Sequence, residues 1–173
     1  MHTEALDYVT TALAHAREST VVRHVVDIGG RDVNGSPRGA VIQCFPQLES
    51  YVSVDKMPGP GVDVIADGRT FLPRVPPDVV LCCEVLEHCA QPEALVTHAI
   101  EMLRPGGWFI MTCAGEGRLP HSGIHGGPLV QNEHYRNITV AELEAWLAPV
   151  AAHWQVSTND TTHDLYCTVR KGE

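Results

Sequence analysis

Apolar residues recur along the chain with two periods, one typical of helices and one typical of buried strands. In residues 3–17 they lie three or four positions apart, which predicts an amphipathic helix. Residues 23–28 form a β-branched run that stops at Gly29 and Gly30, which predicts a buried strand. Ser36 followed by Pro37 predicts a second helix with Ser36 as its N-cap. The first 46 residues are therefore predicted to run helix, strand, glycine-rich loop, helix.

The middle of the chain continues this alternation. Four further apolar stretches predict strands at residues 51–54, 62–66, 78–83 and 108–113. The third is almost entirely apolar, as expected for a central parallel strand that is covered on both faces. A helix is predicted between the last two strands, ended by Pro105 and the following glycines. Its buried side is predicted to carry Ala94, Leu95, Ala99, Ile100 and Leu103.

The last third begins with residues 114–137, which show no periodic pattern and indicate a functional loop. Thr139 and Glu142 form a capping-box pattern, which predicts a helix through Leu147. Residues 154–158 and 165–170 predict a closing antiparallel hairpin. The whole chain, residues 1–173, is thus predicted to be a single α/β domain.

Composition narrows the functional classes. The 173 residues are 44% apolar and 19% charged, as expected for one compact domain. The net charge is −9 and basic residues form no stripe, so we expect no nucleic-acid partner. The apolar runs are far shorter than the roughly 20 residues that cross a bilayer, and the first residues lack a signal-peptide pattern. We therefore expect no membrane partner and a cytoplasmic location.

The six cysteines lack a CxxC pair, which favours reduced, buried thiols.

Acidic residues follow three of the predicted strands. Asp27 lies beside Gly29 and Gly30 at the end of the first strand, where the backbone can approach a ligand closely. Asp55 ends the second strand, where a carboxylate can accept both hydroxyls of a ribose. Asp67 ends the third. Because open α/β sheets bind ligands at the carboxyl ends of their strands, these residues predict a nucleoside-sized ligand.

Five sequence blocks carry a resemblance to a known family. They are Val26-Asp27-Ile28-Gly29, Ser53-Val54-Asp55, residues 63–68, residues 78–88 and Leu103-Arg104-Pro105-Gly106-Gly107. Together they resemble the class I S-adenosylmethionine-dependent methyltransferases, in particular the small, type-11-like domains of ubiquinone-pathway and related O-methyltransferases. The resemblance runs from about residue 23 to residue 147, and the last two blocks are its most specific parts.

The resemblance implies both a fold and a cofactor. The fold would be a Rossmann-like three-layer sandwich with a mostly parallel seven-stranded sheet ending in an antiparallel hairpin. The cofactor would be S-adenosylmethionine, with S-adenosylhomocysteine as product. Asp27 and the two glycines would hold its amino-acid portion, Asp55 the ribose and Asp67 the adenine amino group. The expected cofactor-binding residues are Asp27, Gly29, Gly30, Arg31, Asp55, Lys56, Ala66, Asp67, Gly68, Cys82 and Cys83.

Two positions qualify the cofactor assignment. Arg31 stands where the family pattern has a second glycine, and a guanidinium at this position would be able to meet the cofactor carboxylate. The alternative interpretation of Asp27 is that it caps backbone N–H groups of its own loop. Asp63 and Asp78, which precede strands, are expected to be solvated.

Histidines supply the candidate catalytic groups. A sulfonium methyl is already activated, so the enzyme mainly positions the two reactants and excludes water. A base is needed only when the acceptor carries a proton at the methylated atom. His88 is the leading candidate because imidazole titrates near neutrality. His121, His125 and His134 in the loop are further candidates, and His121 is the second residue we assign.

A metal site is the alternative use of the same segment. Glu84, Glu87 and His88 lie one turn apart if the segment is helical. They look like the Glu-x-x-Glu-His motif with which RNA 3′-terminal 2′-O-methyltransferases hold a divalent ion, and His121 would complete it. Mg²⁺ or Mn²⁺ would fit such a site only moderately well. Many relatives carry Glu-His here without metal, and we therefore expect none.

The resulting prediction is transfer of a methyl group to a small-molecule acceptor at oxygen or nitrogen. Residues 1–20 and the loop 114–137 would select the acceptor and form the lid, and the protein would be a monomer or homodimer. One alternative is a nicotinamide-dependent oxidoreductase, which predicts Gly-x-Gly-x-x-Gly where this chain reads Gly29-Gly30-Arg31-Asp32-Val33-Asn34-Gly35. A non-catalytic domain that binds S-adenosylmethionine is the other.

Overall fold

Seven strands form one sheet, with helices on both faces. The computed structural model describes residues 1–172. In chain order the elements are α1 (Thr3–Ser19), β1 (His24–Ile28), α2 (Arg38–Cys44), β2 (Ser50–Asp55), β3 (Val64–Ile65), β4 (Val79–Cys83), a 3-10 turn (Leu86–His88), α3 (Pro92–Glu101), β5 (Trp108–Ala114), α4 (Val140–Leu147), β6 (His153–Asn159) and β7 (Asp164–Arg170). Residues 115–139, between β5 and α4, contain no helix or strand and are called the long loop.

The strand order is β3-β2-β1-β4-β5-β7-β6. The first five strands of this order are parallel, and β7 runs antiparallel to both β5 and β6. This confirms the predicted α/β class and the closing hairpin. The order reverses at β1, which pairs with β2 on one side and β4 on the other. The crevice at such a switch point is where open α/β folds bind ligands.

Alternation along β4 explains the three layers. Val79 and Leu81 pack into the core against α1 and α2, whereas Val80 and Cys82 pack into the core against α3 and α4. Successive side chains of a strand point to opposite faces, so a fully apolar strand fills two cores at once. The fully buried Leu13 anchors α1 in the first of these cores.

The helix α4 begins at the predicted capping box. The Thr139 hydroxyl accepts a hydrogen bond from the Glu142 N–H at 3.1 Å, and the Glu142 carboxylate accepts one from the Thr139 N–H at 3.0 Å. Two helix N–H groups that would otherwise lack partners are satisfied in this way.

Three local expectations need correction. The helix α2 begins at Arg38 with Pro37 at the N-cap, and Ser36 accepts a hydrogen bond from the Arg38 N–H at 3.2 Å instead of being the N-cap itself. Ala94 is exposed, whereas the other four residues predicted on the buried side of α3 are buried. The strand β3 is only two residues long, although backbone hydrogen bonds to β2 continue on both sides of it.

Asp78 is buried instead of solvated, with 4% of its surface exposed. Its carboxylate accepts hydrogen bonds from the N–H groups of Arg23 and His24, both at 2.7 Å, and pairs with Arg104. Burial raises the pKa of Asp78, but these donors outweigh it and the net pKa is lowered. Asp63 is half-exposed and pairs with Arg38.

All six cysteines lie within the described residues as free thiols, and four are buried. No helix within residues 1–172 is long and apolar enough to span a membrane.

Candidate active site

A cavity of about 720 Å³ opens at the carboxyl ends of the parallel strands. Its size lies in the range of ligand pockets, roughly 300–1,000 Å³. Residues that follow β1, β2, β3 and β4 form the floor, and the long loop and the start of the chain form the walls. Ten of the eleven expected cofactor-binding residues line it, together with both candidate catalytic residues. These are Asp27, Gly29, Gly30, Arg31, Asp55, Lys56, Ala66, Asp67, Gly68, Cys83, His88 and His121.

The exception is Cys82, which is fully buried in the core beside α3 and does not line the cavity. Cys83 is the next residue of β4, and strand alternation turns it the opposite way. Burial raises the pKa of both thiols well above the ordinary value, so both are neutral. Of the two cysteines, Cys83 alone is placed to touch a ligand.

The two glycines after β1 are required by close packing. Gly29 has φ +73°, and a Cβ there would collide with the side chain of Val85. A Cβ on Gly30 would collide with Ser53 and would lie 2.5 Å from Asp27 Oδ2. The glycines therefore let the loop pass directly over the ends of the strands, which leaves its backbone open to a ligand.

Asp27 is a buried acid on the cavity floor, with 1% of its surface exposed. It accepts a hydrogen bond of 2.6 Å from the Tyr51 hydroxyl. Burial raises the pKa of Asp27 to about 7, although Tyr51 and the charge of Arg38 oppose that shift. A cationic ligand at this position would favour the ionised form.

Asp55 and Asp67 differ in the number of protein groups that already contact their carboxylates. Asp55 accepts a hydrogen bond from the Met57 N–H at 2.8 Å. Asp67 is paired with Arg69, whose Nη2 lies 2.5 Å from Oδ2, and with Lys56 at 3.3 Å. The hydrogen bonds from Arg69 lower the pKa of Asp67 below its ordinary range. An adenine amino group at Asp67 would therefore share the carboxylate with Arg69.

Arg31 reaches across the cavity to the long loop. Its Nη2 donates a hydrogen bond of 2.8 Å to the carbonyl oxygen of Gly123. A Cβ on Gly123 would lie 3.0 Å from the ring of His88, so this part of the loop lies directly on that histidine. The guanidinium therefore holds the long loop at the position where the resemblance implies a cofactor contact.

His88 lies in an aromatic cluster with His121 and Tyr135. Ring centroids are 5.2 Å apart for the two histidines and 5.5 Å apart for His88 and Tyr135. Burial lowers the pKa of His88, and the neighbouring His121 lowers it further. His88 is therefore neutral at pH 7 and able to accept a proton. Of the other loop histidines, His134 lines the cavity and His125 is exposed outside it.

Glu87 lies behind this cluster and is fully buried. Its Oε1 accepts a hydrogen bond from the Ala114 N–H at 3.1 Å, whereas Oε2 is buried without a partner. Burial raises the pKa of Glu87 well above its ordinary value. Glu87, His88 and His121 place ligand atoms within 4.8 Å of one another. One carboxylate and two imidazoles form a donor set suited to Mn²⁺ more than to Mg²⁺.

Glu84 does not belong to this group, so its predicted place beside Glu87 and His88 was wrong. The 3-10 turn begins only at Leu86, and Glu84 precedes it with a positive φ of 57°. This conformation turns its side chain toward His2 and Asp164.

Sequence reasoning missed His2 as a cavity residue. His2 lines the cavity, and its Nε2 lies 2.5 Å from Oδ2 of Asp164. The two residues are 162 positions apart in the sequence, and no local pattern connects them.

Comparison with protein families gives a direct match. A family model described as a methyltransferase domain matches residues 7–150. The ubiquinone biosynthesis O-methyltransferase of Cereibacter sphaeroides is 35% identical over 96 residues, which is 54% of this chain and 36% of that protein. The chain therefore aligns with about a third of the length of this curated relative.

Solved structures show the same fold. The S-adenosylmethionine-dependent methyltransferase SibL superposes with a TM-score of 0.66 at 19% identity, over 95% of this chain and 55% of that one. CalS10, an amino pentose methyltransferase from Micromonospora echinaspora, gives a TM-score of 0.65 at 20% identity, over 97% of this chain and 90% of that one. These likenesses confirm the methyltransferase-like fold expected from the strand-end motifs.

Proposed function

The chain belongs to the methyltransferase-domain family, and on that premise we propose that it transfers a methyl group from S-adenosylmethionine to a small molecule. The observation that carries the proposal is the cavity, where glycines and acids from successive parallel strands face two histidines. The names of the relatives support either acceptor atom, since one is an O-methyltransferase and another acts on an amino pentose.

The cofactor would lie across the ends of β1, β2 and β3. Asp27 on the cavity floor suits the cationic end of its amino-acid portion, and Asp55 suits the two ribose hydroxyls. Asp67 would face the adenine amino group. When bound, the cofactor supplies an activated sulfonium methyl group. Cys83 is the residue of β4 nearest to this chemistry, because Cys82 is enclosed in the core.

The acceptor would lie beneath the long loop, against His88 and His121. These histidines are assigned to acceptor contact, with His88 a candidate proton acceptor. Arg31 would keep the loop closed over the site through Gly123, which excludes water from the reaction.

Calorimetry tests the choice of cofactor. We expect S-adenosylhomocysteine to bind and NADH to give no heat of binding. Tight binding of NADH without binding of S-adenosylhomocysteine would establish the oxidoreductase alternative instead.

Label transfer tests the activity. The protein is incubated with methyl-labelled S-adenosylmethionine and the small-molecule fraction of a bacterial extract, and labelled products are separated by chromatography. We expect label in a small molecule only when protein and extract are both present. Cofactor binding without any transfer would favour the non-catalytic binding domain.

A further inference from the structure

A histidine–carboxylate pair lies at the cavity wall. His2 Nε2 is 2.5 Å from Oδ2 of Asp164, the first residue of β7. His2 lines the cavity and its side chain is 26% exposed, whereas Asp164 is buried with 1% exposed. The imidazole therefore stands between a buried acid and the open site.

Several side chains donate to the carboxylate of Asp164. Arg118 Nη1 lies 2.5 Å from Oδ1, and the hydroxyls of Thr162 and Tyr166 donate to Oδ2 at 2.6 and 3.0 Å. An ionised carboxylate only accepts hydrogen bonds, so the proton on the neutral imidazole of His2 belongs on Nε2. The lone pair of Nδ1 is then free.

The side chain of His2 does not cap the helix that it precedes. His2 is the N-cap residue of α1, yet its side chain makes no capping hydrogen bond. The helix itself is fixed on β7 by stacking of Tyr8 on Tyr166, whose ring centroids are 4.5 Å apart. The Tyr166 hydroxyl also donates a hydrogen bond to Asp164. The residue that holds α1 on β7 therefore also positions Asp164, the partner of His2.

Nδ1 of His2 faces a second acceptor. It lies 3.9 Å from Oε2 of Glu84, which is too far for a hydrogen bond. Glu84 is fixed in place, because its N–H donates to the Thr112 carbonyl at 2.7 Å and its Oε1 accepts from the Thr112 hydroxyl at 2.9 Å. Two hydrogen-bond acceptors that lie 3.9 Å apart in the cavity lining call for a ligand that supplies the hydrogen, such as a hydroxyl or an amine.

We propose that His2 is a catalytic residue that accepts the proton of the methyl acceptor at Nδ1, with Asp164 as its positioning residue and Glu84 as a second contact to the acceptor. This inference rests on the proposed function. The acceptor is thereby identified as a molecule that presents an O–H or N–H group to the wall formed by β4, β7 and α1.

The reaction balances with the groups named. The acceptor atom forms a bond to the methyl carbon while the carbon–sulfur bond breaks, and the electron pair of that bond stays on sulfur. The acceptor proton passes to Nδ1 of His2, and the resulting imidazolium is paired with the carboxylate of Asp164. His88 then contacts another part of the acceptor. Burial lowers the pKa of His88, which makes it a weaker base than an ordinary imidazole.

The His2→Gln variant tests this role without breaking the contact to Asp164. The glutamine amide still donates toward Asp164 but cannot take up a proton at neutral pH. We expect label transfer to the extract fraction to fall about 100-fold or more, the effect expected of a lost general base, while the affinity for S-adenosylhomocysteine and the melting temperature stay at wild-type values. His15→Gln, on the exposed side of the same helix, is the matched control and should retain full transfer.

Three outcomes separate the claims. Transfer by His2→Gln within about twofold of the His15→Gln control, against the 100-fold loss expected of a base, overturns the role of His2 and leaves the proposed function standing. Absence of transfer by the wild-type protein overturns the proposed function itself. In ¹⁵N-histidine correlation spectra, an Nε2–H tautomer for His2 supports the assignment, and an Nδ1–H tautomer overturns it.

Discussion

Arg31 donates a hydrogen bond of 2.8 Å to the carbonyl oxygen of Gly123, and this bond joins the glycine-rich loop after β1 to the long loop over the cavity. Arg31 stands where the Asp-x-Gly-x-Gly pattern of the resemblance has its second glycine. The arginine therefore couples the site expected for the cofactor to the segment expected to cover the acceptor.

Replacing Arg31 with alanine should loosen the long loop. A hydrogen bond from a charged group contributes about 1.5–3 kcal/mol, so amide hydrogen exchange in residues 122–127 should accelerate about tenfold or more. Hydrogen-exchange mass spectrometry measures this directly. Arg17→Ala, on the exposed face of α1, should leave exchange in the loop unchanged. Unchanged exchange in the Arg31 variant would show that other contacts hold the loop.

Replacing Asp55 with alanine should weaken cofactor binding. Loss of hydrogen bonds to a charged acceptor, about 1.5–3 kcal/mol, corresponds to roughly a ten- to hundredfold increase in the Kd for S-adenosylhomocysteine. Calorimetry provides the measurement, with the exposed Asp7→Ala as control. Equal affinity in the Asp55 variant and the wild type refutes the ribose assignment.

Replacing His88 with alanine should lower turnover and leave cofactor affinity largely unchanged, since His88 lies on the acceptor side of the cavity. Steady-state transfer of methyl label gives the first quantity and calorimetry the second. His153→Ala, exposed at the start of β6, serves as the control. A variant that loses cofactor affinity instead would place His88 on the cofactor side.

The raised pKa of Asp27 predicts a pH-dependent stability. Because burial raises the pKa to about 7, the folded protein binds more protons than the unfolded chain between about pH 4 and pH 7. The free energy of unfolding should therefore decrease as the pH rises through this window. Asp27→Asn should reduce the decrease, as measured by urea denaturation at several pH values. Burial also raises the pKa of Glu87, so part of the decrease in the free energy of unfolding should persist in the Asp27→Asn variant. An identical pH dependence in the two proteins would contradict the burial argument.

Removal of divalent ions should leave turnover unchanged. The cluster of Glu87, His88 and His121 has a suitable donor set, but the buried carboxyl of Glu87 favours its protonated, non-ligating form. Turnover is measured after treatment with EDTA and again after addition of Mn²⁺. Loss of turnover that Mn²⁺ restores would establish a metal site at this cluster.

Much of the fold followed from patterns that act over a few residues. The capping box of Thr139 and Glu142, the apolar run of β4 and the acids at the strand ends were all predicted from local spacing. Strand ends were predicted to within about two residues, because a boundary depends on the neighbouring strand as well as on the segment itself. The short β3 illustrates this, since only two of its residues pair with β2 in a regular ladder.

By itself, the sequence determined the order of elements and the sheet edge that carries the site. Of the eleven cofactor-binding residues predicted from it, ten line the cavity. Those features depend on the period of the apolar residues and on the glycines and acidic residues at fixed positions near the strand ends. Only the tertiary structure decided which way individual side chains point. Cys82 is buried in the core beside α3. The positive φ of Glu84 turns its side chain away from Glu87. Contact between His2 and Asp164 required the packing of α1 on β7, a long-range arrangement that no local pattern encodes.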